Sequence, residues 1–174
     1  APAPETPSTP AAGTLTNGKD ITVENVTELM NELRAQYPNK TDAGTYSGGP
    51  MTIRKITNKY SIDTGGIVST SYACGGWAAR VFDYIFDKNV TFRQVSYDEA
   101  RVGDLLIKVD SQGYLAHVAI VSARMTANGI PNMLCTTDAN YGGGTNVMTW
   151  DLGRYDPIKY NLNHTYDIYT VYPD

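Results

Sequence analysis

The chain has 174 residues, enough for one domain with a full hydrophobic core. Its formal net charge at pH 7 is −4 and no cluster of Lys or Arg interrupts the acidic balance, so we expect neither nucleic acid nor an anionic membrane as a partner. No segment approaches the roughly 18 consecutive apolar residues of a membrane-spanning helix, so we also expect no insertion into a membrane.

The chain opens with a Pro-, Ala- and Thr-rich segment that reads APAPETPSTPAAG. This composition is typical of an extended linker. We therefore predict a linker over residues 1–20 and a single domain over residues 21–174. The linker would tether this domain to another domain upstream.

The first predicted element is a helix over about residues 23–36. Thr22 is positioned to cap its N-terminus, apolar residues recur at helical spacing, and Pro38 would end it. Residues 39–70 are rich in Gly, Thr and Ser and show weak periodicity. We predict a long irregular segment there, of the kind that builds substrate grooves.

Residues 71–82 read SYACGGWAARVF and predict a buried helix with Cys74 at its N-terminus. Apolar residues recur every fourth position from Trp77, and the helix is expected to end near Lys88. Unpaired backbone N–H groups and the positive end of the macrodipole stabilise a thiolate at such a position and lower the pKa of the thiol. Position alone leaves open whether Cys74 is reactive or structural.

Consecutive strands are predicted after this helix, because apolar runs alternate with turn residues. They lie at residues 105–107, 114–124, 131–138, 147–150 and 167–172. Since helices come first and strands follow, we expect an α+β fold with a mainly antiparallel sheet.

The two cysteines, Cys74 and Cys135, could form one disulfide. A domain of this size does not need that crosslink, and a nucleophile must stay reduced. Cys135 lies in an apolar run that reads as a strand, where a free cysteine is an ordinary small hydrophobic residue. We therefore expect two free thiols.

A cysteine nucleophile needs a base to take its proton, and the chain has two histidines. His164 lies in the polar stretch NLNHTYD, which indicates an exposed loop. His117 begins the apolar run HVAIV and is the candidate base. The structural alternative is a half-buried histidine that bonds only to the backbone.

Two residues are candidates for orienting the imidazole of His117 and fixing its tautomer. Asp138 and Asn140 lie at the end of the following strand, in TTDANY, and either would reach the ring if the two strands pair. Asp138 is preferred because a carboxylate supports an imidazolium better. Both are also common turn formers. We expect no metal or cofactor, because the Cys and His residues lack the spacing of a zinc site.

Four motifs occur in a characteristic order: C-G-G-W-A at Cys74, R-V-G-D-L-L at residues 101–106, H-V-A-I-V at His117 and D-A-N-Y at Asp138. Together they resemble the bacterial papain-fold cysteine hydrolases, including the CHAP-like and NlpC-like groups and related secreted domains of Gram-positive bacteria. The resemblance covers about residues 24–172. R-x-G-D-L is its most specific piece.

The resemblance implies a papain-like α+β fold with N-terminal helices packed on the sheet, and an extracellular or cell-wall-associated cysteine peptidase or amidase. Cys74 would attack an amide carbonyl, and His117 would act as general base and then general acid. Asp138, or else Asn140, would orient His117, and water would resolve the acyl-enzyme. Peptidoglycan peptides are the implied substrates, with a protein substrate as the alternative.

The sequence departs from the family pattern in the oxyanion hole. Papain-like enzymes usually carry a Gln about six residues before the nucleophile, and Val68 stands there. Tyr46, Tyr60 and Tyr72 are possible side-chain donors, and nothing in the sequence selects one. The backbone N–H of Cys74 is expected to supply part of the hole.

Two other functions remain open from the sequence. One is a non-catalytic surface adhesin or cell-wall-binding module on the same fold, which a chain with thirteen Tyr and only 18% charged residues would suit. The other is a transglutaminase-like acyltransferase, in which an amine replaces water.

Overall fold

The computed structural model describes residues 13–47, 51–57, 59–60, 73–140 and 145–174. The helices in these ranges are α1 (Val23–Gln36), α2 (Met51–Thr57) and α3 (Ala73–Ile85). The strands are β1 (Arg93–Val95), β2 (Leu105–Val109), β3 (Leu115–Ala127), β4 (Ile130–Ala139), β5 (Met148–Arg154) and β6 (Thr165–Thr170). No helix within the described ranges is both long and apolar enough to cross a membrane.

The six strands form one sheet in the order β1-β6-β2-β3-β4-β5, and every neighbouring pair is antiparallel. The predicted α+β class with an antiparallel sheet is confirmed. Because β3 and β4 run in opposite directions, the start of β3 lies beside the end of β4. His117 therefore lies at the same end of the sheet as Asp138.

Helix α1 forms with the predicted bounds, since its signals are local. The side chain of Thr22 accepts a hydrogen bond from the backbone N–H of Asn25 at 3.2 Å, which satisfies one of the unpaired donors of the first turn. Its apolar stripe is buried in the core: Val26, Leu29, Met30 and Leu33.

Helix α3 packs on the sheet through Trp77, and this contact positions the nucleophile candidate. The Trp77 ring lies edge-on to Trp150, with 5.9 Å between ring centroids, and its Nε1 donates to Thr137 Oγ1 at 2.9 Å. Thr137 in turn donates to the backbone carbonyl of Thr149 at 2.8 Å. A buried indole with a satisfied N–H fixes both the depth and the rotation of the helix. The N-terminus of α3 is thereby held against β3 and β4.

The R-V-G-D-L-L segment makes the tight turn that leads into β2. Gly103 has φ +91°, and a Cβ there would lie 2.8 Å from Val26 Cγ1 and 2.9 Å from Phe86 Cζ, so only glycine fits both the backbone conformation and the space. Asp104 Oδ2 accepts the backbone N–H of Arg101 at 2.8 Å, which closes the loop before β2. The motif thus holds β2 against α1 and α3.

Three sequence predictions of element bounds need correction. Within the segment predicted as a linker, Leu15 is 1% exposed and pairs with Phe86, so it packs on the domain, whereas residues 16–20 are exposed and residues 1–12 lie outside the described residues. Helix α2 forms where an irregular segment was predicted, because Ile53 and Ile56 bury one short face. Helix α3 ends three residues before Lys88.

Candidate active site

The nucleophile candidate lies in the first turn of α3. The side-chain Oδ1 of Asn146 accepts the backbone N–H of Ala73 at 2.8 Å and so binds the start of the helix. Ala73 has φ +50°, a conformation that costs an L-residue roughly 1–2 kcal/mol. Such strain clusters at functional sites because it sets the direction of a neighbouring side chain. Cys74 follows directly and is 3% exposed.

The thiol of Cys74 is surrounded by hydrogen-bond donors. Burial by itself raises the pKa of Cys74, but a hydrogen bond to His117, the charge of that ring and the backbone N–H groups of Val118 and Gly75 outweigh it. The pKa therefore lies below its ordinary value of 9.0. This environment stabilises a thiolate.

His117 bridges Cys74 and Asp138. Its Nε2 bonds to Asp138 Oδ2, which leaves Nδ1 as the ring nitrogen that faces the sulfur. Burial lowers the pKa of His117, but the bonds to Asp138 and Cys74 and the negative charge of both partners outweigh it and raise the pKa from 6.5 to about 9. An imidazolium beside a thiolate is the ion pair that activates a cysteine nucleophile.

Asp138 is buried and fully engaged. Arg154 Nη2 bonds to the same Oδ2 that meets His117, and Thr136 Oγ1 donates to Oδ1. Burial raises the pKa of Asp138, but these bonds, led by the one to His117, outweigh it and hold the pKa below its usual value. Arg154 Nε also donates to Thr136 Oγ1 at 3.0 Å. The carboxylate is thus ionised and fixed in direction.

Sequence reasoning missed Thr136 and Arg154. Thr136 stands two residues before Asp138 and so lies on the same face of β4, a signal that strand alternation offered. Arg154 left no local signal, since its side chain reaches Asp138 only because β5 pairs with β4.

Asn140 and His164 bond to partners other than His117, although Asn140 lines the pocket beside that ring. The side-chain oxygen of Asn140 accepts the backbone N–H of Thr145 at 3.1 Å, and Asn140 has a φ of +84°. His164 was predicted to be exposed; its ring is half-buried and its Nε2 lies 3.2 Å from Tyr166 Oη. Of the two orienting candidates, the structure brings Asp138 to the ring.

Two of the three tyrosines proposed as oxyanion donors are engaged elsewhere. Tyr46 donates to Asp83, which lies nine residues and roughly 13 Å along α3 from Cys74. The hydroxyl of Tyr60 meets Asp167 and Tyr169 on β6. The third candidate, Tyr72, and Val68 lie outside the described residues. Among the described candidates, the backbone N–H of Cys74 remains.

The second cysteine is a contrasting case. Cys135 is fully buried within β4, and both cysteines are free, as predicted. Burial raises the pKa of Cys135, whereas the pKa of Cys74 is lowered. The reaction rate of Cys135 can therefore serve as the reference for the reaction rate of Cys74 in the same protein.

Comparison of the chain with protein-family models, with curated proteins and with solved structures gave no match.

The pH dependence of Cys74 follows from these two shifts. A lowered thiol pKa keeps the thiolate to a pH below 9.0, and a raised imidazole pKa keeps His117 protonated up to about pH 9. The ion pair is populated between the two pKa values.

We expect iodoacetamide to alkylate Cys74 near neutral pH faster than a model thiol and faster than Cys135. Hydrolysis would fall on the acid side as the thiolate is protonated and on the alkaline side near pH 9. A Cys74 that titrates at the ordinary thiol value contradicts this.

Proposed function

We propose that the protein is a cysteine peptidase or amidase that works through an acyl-enzyme, with Cys74 as nucleophile, His117 as general base and acid, and Asp138 as the residue that positions His117. One observation carries the proposal: a thiol at a helix N-terminus bonds to an imidazole whose other nitrogen bonds to a buried carboxylate. A papain-like fold is part of the proposal. Helices packed on an antiparallel sheet support it, as does the order of the three residues along the chain.

The steps follow from this arrangement. The Cys74 thiolate attacks the amide carbonyl carbon, a C–S bond forms, and the oxyanion is met by the Cys74 backbone N–H. The C–N bond then breaks as the His117 imidazolium gives its proton to the leaving amine. Water attacks the thioester while His117 takes its proton. The C–S bond breaks, the acid product leaves, and the proton on His117 restores the starting ion pair.

The substrate class rests on the four-motif resemblance. We propose peptidoglycan stem or cross-bridge peptides as substrates, cleaved outside the cell or at the cell wall.

The test is incubation of the purified chain with isolated peptidoglycan in ¹⁸O-labelled water, with and without an added primary amine. Mass spectrometry is expected to find peptide fragments whose new carboxyl group carries one ¹⁸O atom. Incorporation of the amine in place of water would instead identify an acyltransferase. Binding to the wall without bond cleavage would identify a binding module. Cleavage of an unfolded protein but not of peptidoglycan would overturn the substrate class alone.

A further inference from the structure

A concave pocket of about 310 Å³ adjoins the proposed triad and has no role in the chemistry described so far. His117 and Asp138 form one wall, at the start of β3 and the end of β4. Lys108 from β2 and Arg154 from β5 also line it. His117 lines this pocket and also bonds to Cys74, so a single side chain separates the pocket from the thiol.

The two cationic side chains of the pocket, Arg154 and Lys108, differ in their hydrogen bonding. Arg154 is occupied, since Nη2 bonds to Asp138 and Nε to Thr136. Lys108 lies opposite His117 in the strand register and is half-buried. Within the described part of the chain, no hydrogen bond or ion pair engages its ammonium group. A half-buried ammonium group that donates to no carboxylate can bind an anionic ligand.

The charges around Lys108 also favour the binding of an anion. Burial lowers the pKa of Lys108 first, and the nearby Arg154 lowers it further, against the opposing effect of Asp138. His164 also feels the positive charge of Lys108 and Arg154, which adds to the effect of burial in lowering its pKa. Asp138 is the carboxylate in this group, and its oxygens are already shared among His117, Arg154 and Thr136. The pocket therefore has an excess of positive charge.

We propose that this pocket binds a carboxylate of the substrate, next to the scissile amide, and that Lys108 is the residue that selects it. The inference deepens the proposed function and rests on it, because the ligand is taken to be the peptide that Cys74 cleaves. The ammonium of Lys108 donates to the carboxylate, and Arg154 adds positive field without leaving Asp138. The preferred substrate is then an acidic peptide.

Binding tests the pocket without requiring turnover. We choose the tripeptides Ala-Glu-Ala and Ala-Gln-Ala, acetylated and amidated at their ends, so that they differ only in one carboxylate. A charge-assisted hydrogen bond contributes about 1.5–3 kcal/mol, so we expect the Cys74→Ala protein to bind the acidic peptide roughly 10- to 100-fold more tightly in calorimetry or NMR titration. Lys108→Met is expected to abolish the preference, and Lys108→Arg to keep most of it.

The outcomes separate this inference from the proposed function. Equal binding of the two peptides, or a preference that survives in Lys108→Met, overturns the carboxylate site even if the protein hydrolyses peptidoglycan. A preference that depends on Lys108 supports the site even if no hydrolysis is found. Where hydrolysis is found, kcat/KM for acid and amide forms of the cleaved peptide must show the same ratio and the same dependence on Lys108.

Discussion

Replacement of Cys74 by serine is expected to lower the hydrolysis rate by roughly 10³-fold or more, because a serine hydroxyl beside His117 lacks the low pKa that gives the thiolate. The same variant is expected to lose the rapid alkylation near neutral pH. Both rates are measured on the purified chain, and circular dichroism and thermal unfolding check that the fold is kept. The substitution changes one buried atom, so we expect the unfolding temperature to change little.

Cys135→Ala is the matched control for this experiment. Cys135 is the other buried free thiol, and its raised pKa predicts a slow reaction with iodoacetamide. Its replacement should leave hydrolysis within about twofold of the wild type, apart from any loss of stability from a small cavity. A Cys74→Ser protein that keeps a tenth of its activity, or an equal loss in Cys135→Ala, rules out Cys74 as the nucleophile.

Asp138→Asn is expected to lower kcat by roughly 10²- to 10⁴-fold with little change in KM, because a neutral carboxamide lacks the negative charge that stabilises the imidazolium. The same change removes the main cause that raises the pKa of His117, so the alkaline limit of activity should move down from about pH 9 toward 6.5. A purely structural residue would not move that limit. The shift is measured from the pH profile of hydrolysis.

Asn140→Gly is the control for Asp138→Asn. Glycine accepts the φ of +84° at this position, so the side chain is removed without backbone strain. We expect its kcat to stay near the wild-type level, since His117 bonds to Asp138 whereas Asn140 only lines the adjoining pocket. If the kcat of Asn140→Gly falls as far as that of Asp138→Asn, the assignment of the orienting role to Asp138 is wrong. Unfolding curves for both variants are needed, since Asp138→Asn also weakens the bond to Arg154.

The sequence predicted the helix bounds and helix starts that depend on residues close together in the chain. The Thr22 cap and the apolar spacing fixed the bounds of α1, and the apolar run after Cys74 placed the start of α3. The choice between Asp138 and Asn140 stayed open because it depends on which face of β4 each side chain occupies and on how β4 pairs with β3. The structure resolves that choice geometrically through the bond from Asp138 to His117.

Contacts between residues that are far apart in the chain could not be predicted from the sequence. Arg154 reaches Asp138 only through the pairing of β5 with β4, and Asn146 binds the start of α3 from 73 residues away. The burial of Leu15 was not predicted, because the residues before it have the composition of a linker and a single apolar residue shows no periodicity. Its burial against Phe86 appears only when the chain has folded.

The bond between Arg154 and Asp138 has a consequence for the electrical balance of the site. In the ion-pair state, the cluster of Cys74, His117, Asp138 and Arg154 holds two anions and two cations and is neutral as a whole. Transfer of a proton between Cys74 and His117 moves charge inside the cluster without changing its sum. Dissolved salt screens fields over about 8 Å at physiological ionic strength and acts weakly on groups in closer contact. The ionisation that activates the thiol is therefore insulated from the salt concentration of the surroundings.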